Sequence, residues 1–168
     1  MAVDLPLGKF TCAFTLEVVR PPTLEREERD GITYLVGRNY ELVYRTTLHF
    51  EGGGELPVVA TLIGELNRQV VIRDSGGKPT GISGCVQGHS RITDVGGNPI
   101  FEGTYYDARV TQALSGDDAL TAVGPRVIEH LENGFGLGVY AGHAFSLSIR
   151  LVREGSGRPT GQGTGYID

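Results

Sequence analysis

At 168 residues and a formal net charge of −5, from 15 Lys and Arg against 20 Asp and Glu, the chain fits one domain with one sizeable core and has no room for a second. Its basic residues are mostly scattered singly, which argues against nucleic acid as a partner because counterion release depends on clustered Lys and Arg. No apolar run approaches the ~20 residues of a membrane-spanning helix, so no membrane partner is expected either.

The 26 glycines amount to about twice the usual share of roughly 7%, and they sit where strands would turn or bend. That composition favours a β protein with many tight corners. The first eight residues carry Asp4 and Pro6 where a secretory signal would have a basic and then an apolar stretch, so a cytoplasmic location is expected.

Residues 9–20 alternate cleanly. Phe10, Cys12, Phe14, Leu16 and Val18 fall on one side and Thr11, Ala13, Thr15 and Glu17 on the other, which is the pattern of a strand with one buried face. Pro21 and Pro22 stop it, and the charged residues 24–30 read as a solvated connection. A second alternation places Tyr40, Leu42, Tyr44, Thr46, Leu48 and Phe50 on one face, against Glu41, Arg45, Thr47, His49 and Glu51. Gly52, Gly53 and Gly54 then make a corner before two β-branched stretches, residues 56–63 and 69–72, each read as a strand.

A short repeat follows. Asp74-Ser-Gly-Gly-Lys-Pro79, Asp94-Val-Gly-Gly-Asn-Pro99 and Glu154-Gly-Ser-Gly-Arg-Pro159 each place an acid, a Gly three later and a Pro two after that. The acid can accept from nearby backbone N–H groups, the Gly supplies positive φ and the Pro opens the returning strand, so all three are predicted hairpin tips. No P-loop ending accompanies these glycines, and a phosphate-binding role for them is not supported.

Ser115, Asp117 and Asp118 can begin a helix and Asn133-Gly134 can end one, with Gly124-Pro125 as an interruption; two short helical pieces are expected, residues 117–123 and 125–132. Residues 135–153 then read as one long strand whose odd positions are Phe, Leu, Val, Ala, His, Phe, Leu, Ile and Leu. Its glycines would let it coil, as barrel strands do. Cys12 and Cys85 lie in apolar strand-like surroundings and read as buried free thiols.

His143 falls on the apolar register between Ala141 and Phe145, so it is expected inside, with a lowered pKa, as a general base or ligand-orienting donor or else as a hydrogen-bonded core residue. Tyr44 would offer a hydroxyl on an otherwise apolar wall. Asp107 and Arg109 face inward together with Phe101 and Tyr105 in one register. In the other register Ile100, Tyr106 and Val110 are inward and the pair is a solvent-facing salt bridge, the reading slightly preferred. Tyr40, Phe101, Tyr105 and Phe145 are the candidate ligand-lining aromatics. Glu129 and His130, adjacent on the expected helix, diverge by about 100° and cannot form a dyad. His49 and His89 sit on polar faces away from His143, so no metal site is expected. A nucleophile elbow and a dinucleotide fold both lack their sequence patterns.

The stretch Ile92-Thr-Asp-Val-Gly-Gly-Asn-Pro-Ile-Phe-Glu-Gly-Thr-Tyr-Tyr106 resembles the hairpin of allene oxide cyclase and dirigent-type barrels, in which a glycine-rich turn precedes an aromatic, a Gly and a second small residue. It covers under a tenth of the chain, and Pro99 and the Tyr pair depart from the pattern, so no catalytic residue is carried over. The resemblance implies an antiparallel barrel whose cavity shapes an apolar substrate for cyclisation without a cofactor. Lipocalins match less well, since the chain has no Trp.

The expectation is therefore an all-β chain, residues 1–168, forming a small antiparallel barrel of calycin-like or allene oxide cyclase-like type with one or two short helices. Its expected function is that of a cofactor-free cyclase, isomerase or lyase for a small, largely apolar oxygenated molecule. The alternative is a non-catalytic carrier or sensor of a small hydrophobic ligand. Beyond that ligand, a homodimer or larger homo-oligomer is the remaining partner class, and no metal or other cofactor is expected.

Overall fold

The computed structural model describes residues 4–112, 126–154 and 157–168, with the side chains of residues 110–112 outside that description. Ten strands follow one another: β1 Gly8–Thr15, β2 Glu17–Arg20, β3 Thr23–Arg29, β4 Ile32–Phe50, β5 Glu55–Arg73, β6 Pro79–Asp94, β7 Pro99–Gln112, β8 Arg126–Gly136, β9 Ala144–Arg153 and β10 Thr160–Ile167. Among the described residues there is no α-helix, only a single 3₁₀ turn at Gly138–Tyr140. No helix is long and apolar enough to cross a membrane.

All strand pairs are antiparallel, and neighbours follow the order β1, β10, β9, β8, β7, β6, β5, β4. β1 then pairs with β4 through Phe10↔Phe50 and Thr11↔His49, closing an eight-strand ring. The closure is uneven. Beyond Thr11 the two strands part, and Thr46 Oγ1 bridges to the Ala13 carbonyl at 2.8 Å.

The alternation in β1 holds as far as Leu16, whose N–H donates to the Pro159 carbonyl. The chain then swings onto β4 as β2, with Glu17↔Val43, Val18↔Leu42 and a register shift before Arg20. Val18, expected on the buried face, is 59% exposed. The charged residues 24–30 are not a connection. Most of them form β3, an edge strand folded back onto β4 through Asp30 and Gly31, both at positive φ as a tight hairpin turn requires. Its Glu and Arg side chains, apart from the half-buried Glu27, remain exposed, which is how edge strands avoid pairing with other chains. The two strands expected in residues 56–72 are one, since β5 runs unbroken with an irregularity against β6 between Ile63 and Arg68.

All three acid-Gly-Pro segments lie between paired strands: β5 and β6, β6 and β7, β9 and β10. Asp74 Oδ1 accepts from the Gly76 and Lys78 N–H groups, Asp94 Oδ1 from that of Asn98, and Gly77 and Gly97 have φ of 81° and 86°. In the third tip, residues 155 and 156 lie outside the described set.

The expected helix over residues 125–132 is overturned from Arg126 onward: β8 pairs with β7 from Thr111↔Arg126 to Phe101↔Gly136 and with β9 on its other side. Pairing on both edges satisfies every backbone group that a helix would have satisfied locally, so tertiary context overrides the local helix signals. The first expected piece, residues 117–123, lies outside the described residues. The single strand expected over residues 135–153 is also overturned. β8 ends at Gly136, the chain turns through Gly138–Tyr140, and β9 starts at Ala144.

The ring is filled by Phe10, Phe14, Tyr44, Leu48, Leu62, Phe101, Tyr105, Tyr140, Ile149 and Leu151 among others, all under 5% exposed. Phe14 stacks on Tyr44 with ring centroids 3.8 Å apart. A second, smaller cluster of Leu35, Val71 and Ile82 lies where β4, β5 and β6 extend past the ring. Cys12 is buried, but Cys85 is exposed because its register on β6 points it away from the neighbouring inward Val86.

Candidate functional site

β7 and β8 run side by side with Asp107 directly opposite His130 and Tyr105 opposite Glu132. Since period two sends positions 105, 107 and 109 of β7 and positions 128, 130 and 132 of β8 to the inner face, the strand pair projects an acid, an imidazole and a second acid into the ring. Asp107, His130 and Glu132 are 0–1% exposed.

Burial of three ionisable groups demands that each be paired, and the neighbours supply the partners. His130 Nδ1 bonds Asp107 Oδ1, and His130 Nε2 lies 3.0 Å from Glu132 Oε2. Tyr44 donates its hydroxyl to Glu132 Oε2 at 2.7 Å, and Ser90 donates to Glu132 Oε1. Arg109 donates to Asp107 Oδ2 at 3.1 Å. With a carboxylate oxygen at each ring nitrogen, the imidazole must carry both protons. Two anions and two cations then balance.

The ionisation follows from the same geometry. Burial opposes the imidazolium, but hydrogen bonds to Asp107 and Glu132 and their charges outweigh it, raising the His130 pKa to about 9. Burial likewise pushes Asp107 up, yet His130 and then Arg109 hold it below the ordinary carboxylate value. Desolvation, with the charge of Glu132 second, pushes the Cys12 thiol up to about 12, and the same two causes keep Tyr44 well above the usual phenol range.

Arg109 links this interior to the surface. Its side chain is 14% exposed, and its Nε is buried with no hydrogen-bond partner among the described residues. It forms part of a recess of about 260 Å³ at the β9–β10 end of the ring, lined by Arg109, Arg126, Arg153 and Arg158 together with Leu16, Leu42, Ile128 and Pro159.

The sequence-predicted residues divide sharply. Asp107 and Arg109 meet as a pair, facing inward and not toward solvent; the outward register is overturned, and Tyr106 is the residue left 42% exposed. Tyr44 joins them through Glu132 and His130. His143 does not. It sits half-buried in the β8–β9 turn at the opposite end of the ring, with Nδ1 bonded to the Asp168 carbonyl. The turn that splits residues 135–153 breaks the alternation on which its interior placement rested. Tyr40 and Tyr105 share a hydroxyl–hydroxyl bond of 2.9 Å. Phe101 and Phe145 pack against each other at the His143 end, with centroids 5.2 Å apart, and line no part of the recess.

Sequence reasoning missed His130, Glu132, Ser90, Arg126, Arg153 and Arg158. One signal was present: continuing the period of two backward from Phe135 puts Ile128, His130 and Glu132 on one face. Among the described residues no group of His, Cys, Asp and Glu is arranged to hold a metal. No protein-family model matches the chain, and no curated protein or solved structure matches it.

Proposed function

We propose that the protein is a cofactor-free enzyme that binds a small, largely apolar oxygenated molecule in the arginine-lined recess and promotes a cyclisation, isomerisation or elimination there. This reading takes the eight-strand ring as a small barrel of allene oxide cyclase-like or calycin-like type, in keeping with the hairpin similarity in residues 92–106. The observation that carries it is the shared position of Arg109, bonded on one side to the buried Asp107 and lining the recess on the other.

In this reading Arg109 donates to an oxygen of the substrate and stabilises the negative charge that develops on it, a preorganised donor in a site of low dielectric. Asp107 positions that guanidinium. His130, Glu132, Tyr44 and Ser90 fix Asp107 in turn, so the donor reorganises little during the reaction. His143 has no part in it. A second reading, a non-catalytic carrier, is favoured by the burial of Asp107, His130 and Glu132, which keeps these three groups out of direct reach of a ligand.

Native mass spectrometry of freshly purified protein should reveal a retained small molecule, and fresh protein should convert that molecule. Arg109→Lys keeps the charge and loses the planar fork, and should lower turnover at least about ten-fold while the fold survives. A retained molecule returned unchanged by the wild-type protein would leave the carrier reading.

A further inference from the structure

Two interruptions of the sheet lie side by side where β4, β5 and β6 extend past the ring. Asn39 of β4, at φ 53°, stands in a gap in the pairing with β5, between Arg38↔Leu66 and Tyr40↔Gly64. On the other edge of β5, residues 64–67 stand opposite only residues 86–88 of β6, which is a bulge. Beside them lies a groove of about 570 Å³, within the roughly 300–1,000 Å³ usual for ligand pockets. Glu65 and Leu66 of β5, Gln87 and His89 of β6, and Thr104 and Tyr106 of β7 border it. It shares no described lining residue with the arginine-lined recess. Independently of the function proposed for that recess, we infer that this groove binds a saccharide through one pyranose ring. A C–H face of the sugar lies on Tyr106, and its hydroxyls meet Gln87, His89, Thr104 and Glu65.

Three observations carry this. First, the register sets the spacing. Gln87 is directly opposite Tyr106 and His89 directly opposite Thr104, all four exposed on the outer face of β6 and β7. Opposed Cβ atoms lie about 5 Å apart and successive outward positions along a strand about 7 Å apart, so the four side chains frame an area the size of one sugar ring. Second, the chemistry matches a set of hydroxyls, each of which donates and accepts. The amide of Gln87, the imidazole of His89, the hydroxyl of Thr104 and the carboxylate of Glu65 supply both donors and acceptors. Among the described residues these four side chains make no hydrogen bond or ion pair, so that capacity is open to a ligand. Third, an apolar platform adjoins them on a fixed floor. Tyr106 is 42% exposed, with Ile63 and Leu66 close behind at 39% and 37%. An exposed aromatic ring accepts the C–H face of a sugar while polar neighbours take its rim. Below, the buried Tyr105 lines the groove and donates its hydroxyl to the buried Tyr40 at 2.9 Å, so the floor is formed before a ligand arrives.

Saturation-transfer difference NMR of the full chain with methyl β-D-glucopyranoside, methyl β-D-galactopyranoside and methyl α-D-mannopyranoside tests this, with cyclohexanol and choline as comparisons. At least one glycoside should bind with a Kd on the order of millimolar, the range open to one small polar ring. Its C–H protons on one face of the ring should saturate more than those on the other. Tyr106→Phe keeps the ring and should bind as the wild type does, whereas Tyr106→Ala should weaken binding at least about five-fold. Gln87→Ala and His89→Ala should each weaken it at least about three-fold. Ser148→Ala, at an exposed outward position of β9, should leave affinity unchanged. If Tyr106→Ala fails to fold, the Gln87 and His89 variants carry the test. Absence of binding by all three glycosides at tens of millimolar overturns the inference, as does equal affinity for cyclohexanol or an equal loss on Ser148→Ala. Choline bound more tightly than every glycoside also overturns it, and makes the groove a site for an organic cation drawn to Glu65 and the Tyr106 ring.

Discussion

His130 is the residue on which the interior depends most, because among the described residues it alone bonds both buried carboxylates. Its folded pKa, about 9, lies above its ordinary 6.5. The stability it contributes is therefore complete below about pH 6.5 and is lost as pH rises through 9. The difference corresponds to roughly 3 kcal/mol, or a fall in thermal midpoint on the order of 6–12 °C for a chain of this size. Asp107, held below its ordinary 3.8, acts in the opposite direction and contributes stability that disappears only as pH falls below that value. Thermal melts from pH 6 to pH 10 should show the wild-type midpoint dropping across this window. His130→Gln should start lower and drop much less. A wild-type profile that stays flat between pH 6.5 and 9.5 would rule out the buried imidazolium.

At the scale of elements, β10 stands out for its glycines. Gly161, Gly163 and Gly165 face inward, directly opposite Phe14, Cys12 and Phe10; at Gly165 the Phe10 ring takes the space a side chain would need, and at Gly161 and Gly163 β9 does. A Cβ built on Gly165 would lie 2.2 Å from Phe10 Cζ and 2.3 Å from the Ser146 carbonyl oxygen. Gly165→Ala should accordingly destabilise by about 1–3 kcal/mol through overpacking. At Gly52, where an added Cβ meets nothing within 4 Å, the same change should be nearly neutral. Urea denaturation of the two variants side by side checks this, and equal midpoints would remove the packing role assigned to β10. This strand is short of apolar residues, and its inward face was not readable from hydropathy. It became visible only through its register with β1.

At the scale of the whole molecule, the described residues form two apolar clusters of unequal size, one inside the ring and a small one of Leu35, Val71 and Ile82 beyond it. Cooperative unfolding should follow the larger. Leu62→Ala, at a site with no exposure, should cost about 2–5 kcal/mol. Leu35→Ala should cost less, because its cluster offers fewer partners and is closer to solvent. Hydrogen exchange should likewise find the amides of β3 and of its partner stretch in β4, residues 32–38, opening locally while those of β4 opposite β5 at Leu42↔Leu62 exchange through global unfolding. Equal protection in both regions would make the extension part of the same cooperative unit.

The sequence by itself determined the β class, the inward faces of β1 and of the ring portion of β4, and the hairpin tips. Each of these rests on short-range rules: period two for a half-buried strand, positive φ at glycine, and proline's missing donor. Tertiary structure alone decided the charged interior and the recess. In β8 the inner face carries His130 and Glu132 while Leu131 and Phe135 point outward, the reverse of what hydropathy would choose. That inversion is stable only because Asp107, Arg109, Tyr44 and Ser90 arrive from three other strands to pair the buried charges. The four arginines, scattered along the chain, meet because β7, β8 and the β9–β10 tip end at the same rim. A partner dozens of residues away leaves no trace in local periodicity, and burial of a charge is decided by that partner.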